Sequence, residues 1–309
     1  MSKVSFVIPC YRSELTLNGV IDEIKQTMQG LPQYTYEIVL VNDSSPDKTW
    51  DVIRELTTEN DNITGIDLSR NFGQHAALMA GYAAVTGDIV VSLDDDGQTP
   101  ASEVGKLLKG IEDGSDVVYA AYSHKQHTLF RNIGSRINDL MTCVMLGKPK
   151  DLQVSSYFAA KRFIIDEALK YRHSYPYVIG LILRSTSRIT NVQVDHRARE
   201  VGRSGYTFGK LISLWMNGFT AFSIKPLRIA TTAGFISTLI SVIYGIYTII
   251  KKFIRPDVPI GFSALACIIL FVGGVVMVML GMIGEYLGRT YMSVNENPQY
   301  VVREVTGRD

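Results

Sequence analysis

Asp94, Asp95 and Asp96 follow the apolar run Ile89–Val91 almost directly, in the stretch SLDDDGQTP. Three adjacent carboxylates repel one another, so something positive is expected to be held there. Side chains alternate along an extended segment, which predicts Asp94 and Asp96 on one side and Asp95 on the other. Two carboxylates with the Gln98 amide two residues on make a hard oxygen site suited to Mg²⁺ or Mn²⁺, with positions left for water and phosphate oxygens. A solvated acidic turn is the ordinary meaning of such a triplet; its place at the end of a buried strand argues for the metal site.

The elements that must position the triplet alternate along the chain. Strand patterns at Lys3–Pro9, Tyr36–Val41, Ile63–Leu68 and Asp88–Leu93 are separated by helical spacing at Glu14–Met28, Pro46–Leu56 and Gly73–Val85. This predicts an α/β fold with a largely parallel sheet. Ligands of such sheets sit beyond the carboxyl ends of the strands. Those ends read PCYRSE (Pro9–Glu14), VNDSSPDKT (Val41–Thr49), SRNFGQ (Ser69–Gln74) and DDDGQTP (Asp94–Pro100), and they are expected to converge on one cleft.

Composition narrows the partners. Among 309 residues, Lys plus Arg number 31 and Asp plus Glu 30, so no global basic field argues for nucleic acid. Cys10, Cys143 and Cys267 lack disulfide or zinc spacing and read as small core residues in a reducing compartment. The five histidines, His75, His124, His127, His173 and His196, show no metal-ligand spacing and read as surface or loop residues. No signal-peptide pattern precedes the first strand, which predicts a cytoplasmic first domain.

Ile229–Ile250 and Ile260–Gly284 carry no charged residue, and each exceeds the roughly 20 residues that cross a bilayer as a helix. Between them KKFIRPDVP is a short loop that Pro256 and Pro259 keep out of helix. The pair reads as a transmembrane hairpin with both ends cytoplasmic. Charge does not add to this: Lys251, Lys252 and Arg255 lie in the outward loop, against Lys225, Arg228 and Arg289 on the inner flanks. Upstream, the aromatic-rich stretch Tyr206–Phe222 would lie in the interfacial plane with Trp215 and Phe219 at headgroup depth. The division is then a cytoplasmic catalytic domain over 1–204, interfacial helices over 205–228, two transmembrane helices over 229–287 (about 229–250 and 260–284) and a cytoplasmic tail over 288–309.

The segments VIPCYRSE, VNDSSPDKT, SRNFGQHAALMAGY, SLDDDGQ and HRAREVGRSGYTFGKLISLWMNGFTAFSIKPLRIA, followed by the two apolar runs and GEYLGRTY, resemble a family 2 glycosyltransferase of the polyisoprenyl-phosphate class. The resemblance covers essentially the whole chain. It implies a GT-A (Rossmann-like) fold that inverts the anomeric carbon while moving a sugar from a nucleotide diphosphate to a polyprenyl phosphate such as undecaprenyl phosphate, at the inner (plasma) membrane. UDP-glucose is the first expected donor, ahead of a modified arabinose or an N-acetylated hexosamine. A homo-oligomer is compatible with the class.

Residue roles follow the same resemblance. Pro9, Tyr11, Glu14, Asp43 and Asn71 match the nucleotide-sugar side, with Asp94, Asp95 and Gln98 towards the diphosphate and Asp94, Asp96 and Gln98 as metal ligands; Asp96 is also expected to be catalytic. The chain departs from the family at Gly97, where a leucine is usual, and at TPAS after Gln98. Arg131 and Ser135, one helical turn apart, match the acceptor-phosphate site, where the guanidinium fork binds phosphate oxygens in pairs. Arg199 is assigned to the phosphates of the donor or acceptor, and Arg203 to the acceptor side. A catalytic base is the least defined: serines in VSSYF stand where relatives carry an aspartate, leaving Asp151 upstream as substitute. Asp151 is therefore the expected catalytic base, although a base need not exist: a lipid phosphate, with its second pKa near about 6, is largely deprotonated at neutral pH.

A non-catalytic scaffold would be expected to lose Asp94 or Asp96, and both are present. A processive polysaccharide synthase would carry a QxxRW-type motif and more spans, and neither is found.

Overall fold

The structure is a computed structural model that describes residues 1–122, 148–149, 151–174, 176–195, 261–294 and 297–307, with scattered helical positions between 232 and 254. It divides into two units, one of residues 1–215 with 296–309 and one of residues 216–295.

In the first unit, β1 (Ser2–Cys10) runs through the middle of the sheet, and its residues from Val4 onward are all buried. A strand covered on both faces needs such a near-continuous apolar run. It pairs in parallel with β2 (Tyr34–Asn42) on one side and β4 (Ile89–Ser92) on the other, and β2 pairs in parallel with β3 (Ile63–Leu68). The crossovers are α1 (Leu17–Gln29), α2 (Thr49–Glu59) and α3 (Gln74–Ala84). Helix α1 buries Leu17, Val20, Ile21, Ile24 and Met28, the spacing of one helical face. Helix α3 lies against the sheet through small residues: a Cβ at Gly81 would stand 2.4 Å from Val7 Cγ1 and 3.1 Å from Val41 Cγ2. That close approach brings the start of α3 to the cleft end of the strands.

The second half supplies α4 (Val104–Glu112), β5 (Val117–Tyr122), β6 (Phe158–Lys161), α5 (Arg162–Leu169), α6 (Val178–Ser185) and β7 (Ile189–Val194). Strand β6 enters between β4 and β5 antiparallel to both, while β7 is parallel to β5. The eight-stranded order is β7-β5-β6-β4-β1-β2-β3-β8, so the sheet is mixed where the alternation predicted a largely parallel one.

The last strand, β8 (Val302–Thr306), lies at the far edge, antiparallel to β3, with Leu68 opposite Val302 and Gly65 opposite Thr306. Residues 288–309 are therefore more than a tail. The helix of the second unit continues to Val294, and VREVT then joins the sheet. The β-branched Val302, Val305 and Thr306 suit a strand, and pairing covers one edge of β3.

In the second unit, α7 (Phe262–Val294) is one helix. Its stretch Phe271–Gly288 is long and apolar enough to cross a membrane, and Phe271, Met277, Leu280 and Leu287 are exposed. A Cβ at Gly234 would come within 2.6 Å of Met279 Cε, so the helical segment around Gly234–Ile236 packs closely on α7. The interfacial helices expected over 205–228 and the loop Lys251–Pro259, apart from Phe253 and Ile254, lie outside the described residues.

Candidate active site

The ends of β1 to β4 are tied to one another by side-chain to backbone hydrogen bonds. Strand β4 stops at Ser92, and the acidic triplet lies in the turn beyond it, where Gly97 takes a φ of 72°. That left-handed conformation favours glycine. The carboxylates separate by the turn rather than by strand pleat. Asp94 Oδ1 accepts from Gln74 Nε2 at 2.9 Å and its Oδ2 accepts from Ser156 Oγ at 2.5 Å. Asp95 Oδ2 accepts from the Tyr11 amide at 3.0 Å and from the Ser13 hydroxyl. Asp96 Oδ1 accepts from the backbone N–H of Gln98 at 3.1 Å.

Asp43, at the end of β2, is buried and holds the loop after β3. Its Oδ1 accepts from the Phe72 amide at 2.7 Å and its Oδ2 from the Gly73 amide at 2.8 Å, while Asn71 Nδ2 donates to the Asp43 carbonyl at 3.2 Å. Burial raises the Asp43 carboxyl above its usual range, against the pull of those two amides. Gly73 (φ 91°) lets the chain turn directly into α3, so that Gln74 faces Asp94. Asp43 thus acts on the triplet through the loop it shapes.

The β1 and β2 loops are joined in the same way. Arg12 N donates to Ser45 Oγ at 2.8 Å, Ser13 N to Thr49 Oγ1 at 2.9 Å, and Lys48 N to Glu14 Oε2 at 3.0 Å. Arg12 and Ser44 take positive φ values of 60° and 51°. Non-glycine residues in that region concentrate where a site over-determines the backbone. Tyr11 is 45% exposed at the rim, and Pro9 is buried within β1 opposite Val41.

Among the described residues the hydrogen-bond partners of Asp94 and Asp95 are neutral: Gln74, Ser156, the Tyr11 amide and Ser13. Burial pushes the Asp94 carboxyl up to about 6, opposed by the Ser156 hydroxyl and reinforced by Asp96 and Asp95. Burial likewise raises Asp95. A divalent cation fits this donor set, because it would offset that charge and complete its shell with phosphate oxygens. Among the described residues no three His, Cys, Asp or Glu side chains are arranged around one ion.

Two contributors to the cluster were not picked out in the sequence, Gln74 and Ser156. Gln74 is signalled only by its place at a strand end, and Ser156 occupies the serine run where an aspartate was sought. Tyr122, at the end of β5, also feels the cluster: burial, then Asp94 and Asp96, raise its phenol. Asp151 is exposed in the turn before Leu152 and makes none of the hydrogen bonds that assemble the cluster. His75 is half-buried at the start of α3: among the described residues its Nδ1 has no hydrogen-bond partner, its ring meets Tyr177 edge-on at 5.1 Å, and burial lowers its pKa to about 4. Arg131, Ser135, Arg199 and Arg203 lie outside the described residues, as do His124, His127, His196 and Cys143.

Over residues 5–172 the chain matches the family described as glycosyl transferase family 2, and over residues 225–290 that described as GtrB C-terminal hairpin. It is 32% identical over 313 residues to the undecaprenyl-phosphate 4-deoxy-4-formamido-L-arabinose transferase of Yersinia pestis (strain Pestoides F), spanning 100% of this chain and 95% of that one. The transferase of the same name from Yersinia pseudotuberculosis serotype IB (strain PB1/+) is equally similar, with 32% identity over the same shares. Among solved structures, glucosyl-3-phosphoglycerate synthase of Mycobacterium tuberculosis, in complex with Mn²⁺, UDP-glucose and phosphoglyceric acid, has a TM-score of 0.53 at 20% identity, over 70% of this chain and 76% of that chain. Mannosyl-3-phosphoglycerate synthase of Rubrobacter xylanophilus has a TM-score of 0.52 at 16% identity, over 70% and 71%. These two structures share the fold.

Proposed function

The chain belongs to glycosyltransferase family 2, and from that premise we propose that it transfers a sugar from a nucleoside diphosphate to undecaprenyl phosphate at the cytoplasmic face of a membrane. The observation that carries this reading is one of co-occurrence. Full-length similarity to a transferase named for that lipid coincides with an intact acidic cluster at the strand ends and with a long exposed apolar helix downstream.

A phosphate oxygen of the acceptor attacks the anomeric carbon as the bond from that carbon to the nucleotide diphosphate breaks, and the leaving diphosphate keeps the electron pair. The nucleophile is already largely deprotonated at neutral pH, so positioning and charge neutralisation account for the rate without Asp151 as a base. Asp94, Asp96 and Gln98 are the residues that would hold Mg²⁺ or Mn²⁺, which when bound offsets charge on the leaving diphosphate. Tyr11 and Glu14 line the nucleotide side, and Asp43 and Asn71 order the loop beside it. Arg131, Ser135 and Arg203 are assigned to the acceptor phosphate, and Arg199 to phosphates of either substrate.

The donor is read as uridine-linked. Glucose is the first expected sugar, and the relatives' names favour a second reading, 4-deoxy-4-formamido-L-arabinose. The helices over 229–250 and 260–284 form the membrane hairpin of this reading, with both ends cytoplasmic. The test is to incubate purified full-length protein with undecaprenyl phosphate, Mg²⁺ or Mn²⁺, and a panel of nucleotide sugars that includes both. Mass spectrometry should find the lipid heavier by one glycosyl unit with one of them. No glycosylated lipid from any donor would overturn the proposal.

A further inference from the structure

Strand β8 lies beyond the apolar helix in sequence, yet its antiparallel register puts its first residues beside the carboxyl end of β3, at the mouth of the cleft. The Ser69 amide donates to the Val301 carbonyl at 2.8 Å. Arg303 then makes two contacts there: Nη1 donates to Asp67 Oδ2 at 3.0 Å, and Nη2 donates to the Ser69 carbonyl at 2.7 Å. The Asp67 side chain is only 3% exposed, and its other oxygen accepts from Asn42 Nδ2 at 2.7 Å. Asn42 Oδ1 in turn accepts from the Ser45 amide at 3.2 Å.

We infer that Arg303 is a positioning residue for nucleotide binding, and that β8 is the element through which the segment beyond the apolar helix completes the donor site. One guanidinium fixes Asp67 and the start of the Ser69–Gln74 loop together, and Asp67 passes the constraint through Asn42 to the Val41–Thr49 loop. Both loops belong to the donor side of the proposed function, on which this inference rests. A fork with two donors in one plane suits a carboxylate and a carbonyl at once; an ammonium offers a point charge instead. Removing Arg303 leaves a buried carboxylate without its cation, which favours rearrangement of Asp67 and of the loops it holds.

The test uses the full-length protein with uridine diphosphate as probe, and measures its Kd, the KM for donor and acceptor, and amide exchange. Arg303→Ala is expected to raise the Kd for uridine diphosphate and the donor KM about tenfold. The undecaprenyl phosphate KM should stay at the wild-type value, and amide exchange should quicken at Ser69–Gly73 but not in β1. Arg303→Lys should recover part of the loss. Glu304→Gln, on the same strand as Arg303, removes the ion pair to Arg54 of α2 and should leave all these values as in the wild type. Should Arg303→Ala fail to fold, Arg303→Lys is read in its place. Unchanged nucleotide affinity and donor KM in a folded Arg303 variant would overturn the inference, as would equal losses for donor and acceptor. If the wild type binds no uridine diphosphate, the donor reading falls, and exchange at Ser69–Gly73 still decides the positioning claim: exchange as slow as in the wild type refutes it.

Discussion

Ser156 Oγ donates to Asp94 Oδ2 at 2.5 Å, which ties the segment before β6 to the first carboxylate after β4. This bond holds Asp94 in one orientation and favours its ionised form against the burial that raises its pKa. Ser156→Ala should lower kcat/KM about tenfold, the size of one lost hydrogen bond to a charged group at about 1.5 kcal/mol. Steady-state kinetics equal to those of the wild type would show that the bond does not matter for turnover.

Asp96→Asn should abolish transfer with the fold intact, because the amide removes one of the two carboxylates proposed to hold the cation. Chelation should do the same to the wild type, reversibly on adding back Mg²⁺ or Mn²⁺. Full activity in excess chelator would remove the metal from the account.

Glu37 carries a pH prediction away from the cleft. Burial would raise its carboxyl, but hydrogen bonds from Lys3, Ser5 and Thr86 outweigh it and lower the pKa from 4.5 to about 2. A folded-state pKa below the unfolded one gives stability that is full above pH 4.5 and is lost as pH falls through about 2. Glu37→Gln should therefore cost on the order of 1–2 kcal/mol near neutrality, since solvent screens the half-buried pair with Lys3, and that cost should shrink steadily between those two values. Denaturation across that range checks it; a pH-independent difference between variant and wild type would contradict it.

Two glycines should respond oppositely to alanine. At Gly81 the new Cβ would meet Val7 Cγ1 at 2.4 Å, and overpacking there should cost about 1–3 kcal/mol. At Gly105 in α4 the nearest atoms are Leu31 methyls at 3.9 Å, and Gly105→Ala should stabilise by about 0.4–1 kcal/mol. Thermal unfolding midpoints that moved in the same direction would refute the packing argument.

The positions of β1 to β4 were legible because each is a short apolar run ended by turn residues, and the cleft followed from their parallel order. Ile63–Leu68 was placed to the residue. Partners in the sheet were harder to see. Strand β6 lies antiparallel between β4 and β5, and β8 is five residues with exposed side chains that the periodicity of an edge strand barely marks. The triplet was recognisable by composition, whereas its partners, Gln74 and Ser156, come from a helix start and a distant connection that only tertiary contact brings together. Asp43 is assigned to the nucleotide side by the family resemblance alone; what the sequence does not show is that its two oxygens also accept from the Phe72 and Gly73 backbone amides.

The central claim, sugar transfer to a lipid phosphate, is tested most directly by nucleoside diphosphate release that depends on undecaprenyl phosphate. With the matching donor and Mg²⁺ or Mn²⁺, the wild type should release one nucleoside diphosphate for each glycosylated lipid formed, and neither product should appear without the lipid or with Asp94→Asn. Release at the same rate without undecaprenyl phosphate, or with no sugar found on the lipid, would contradict the account.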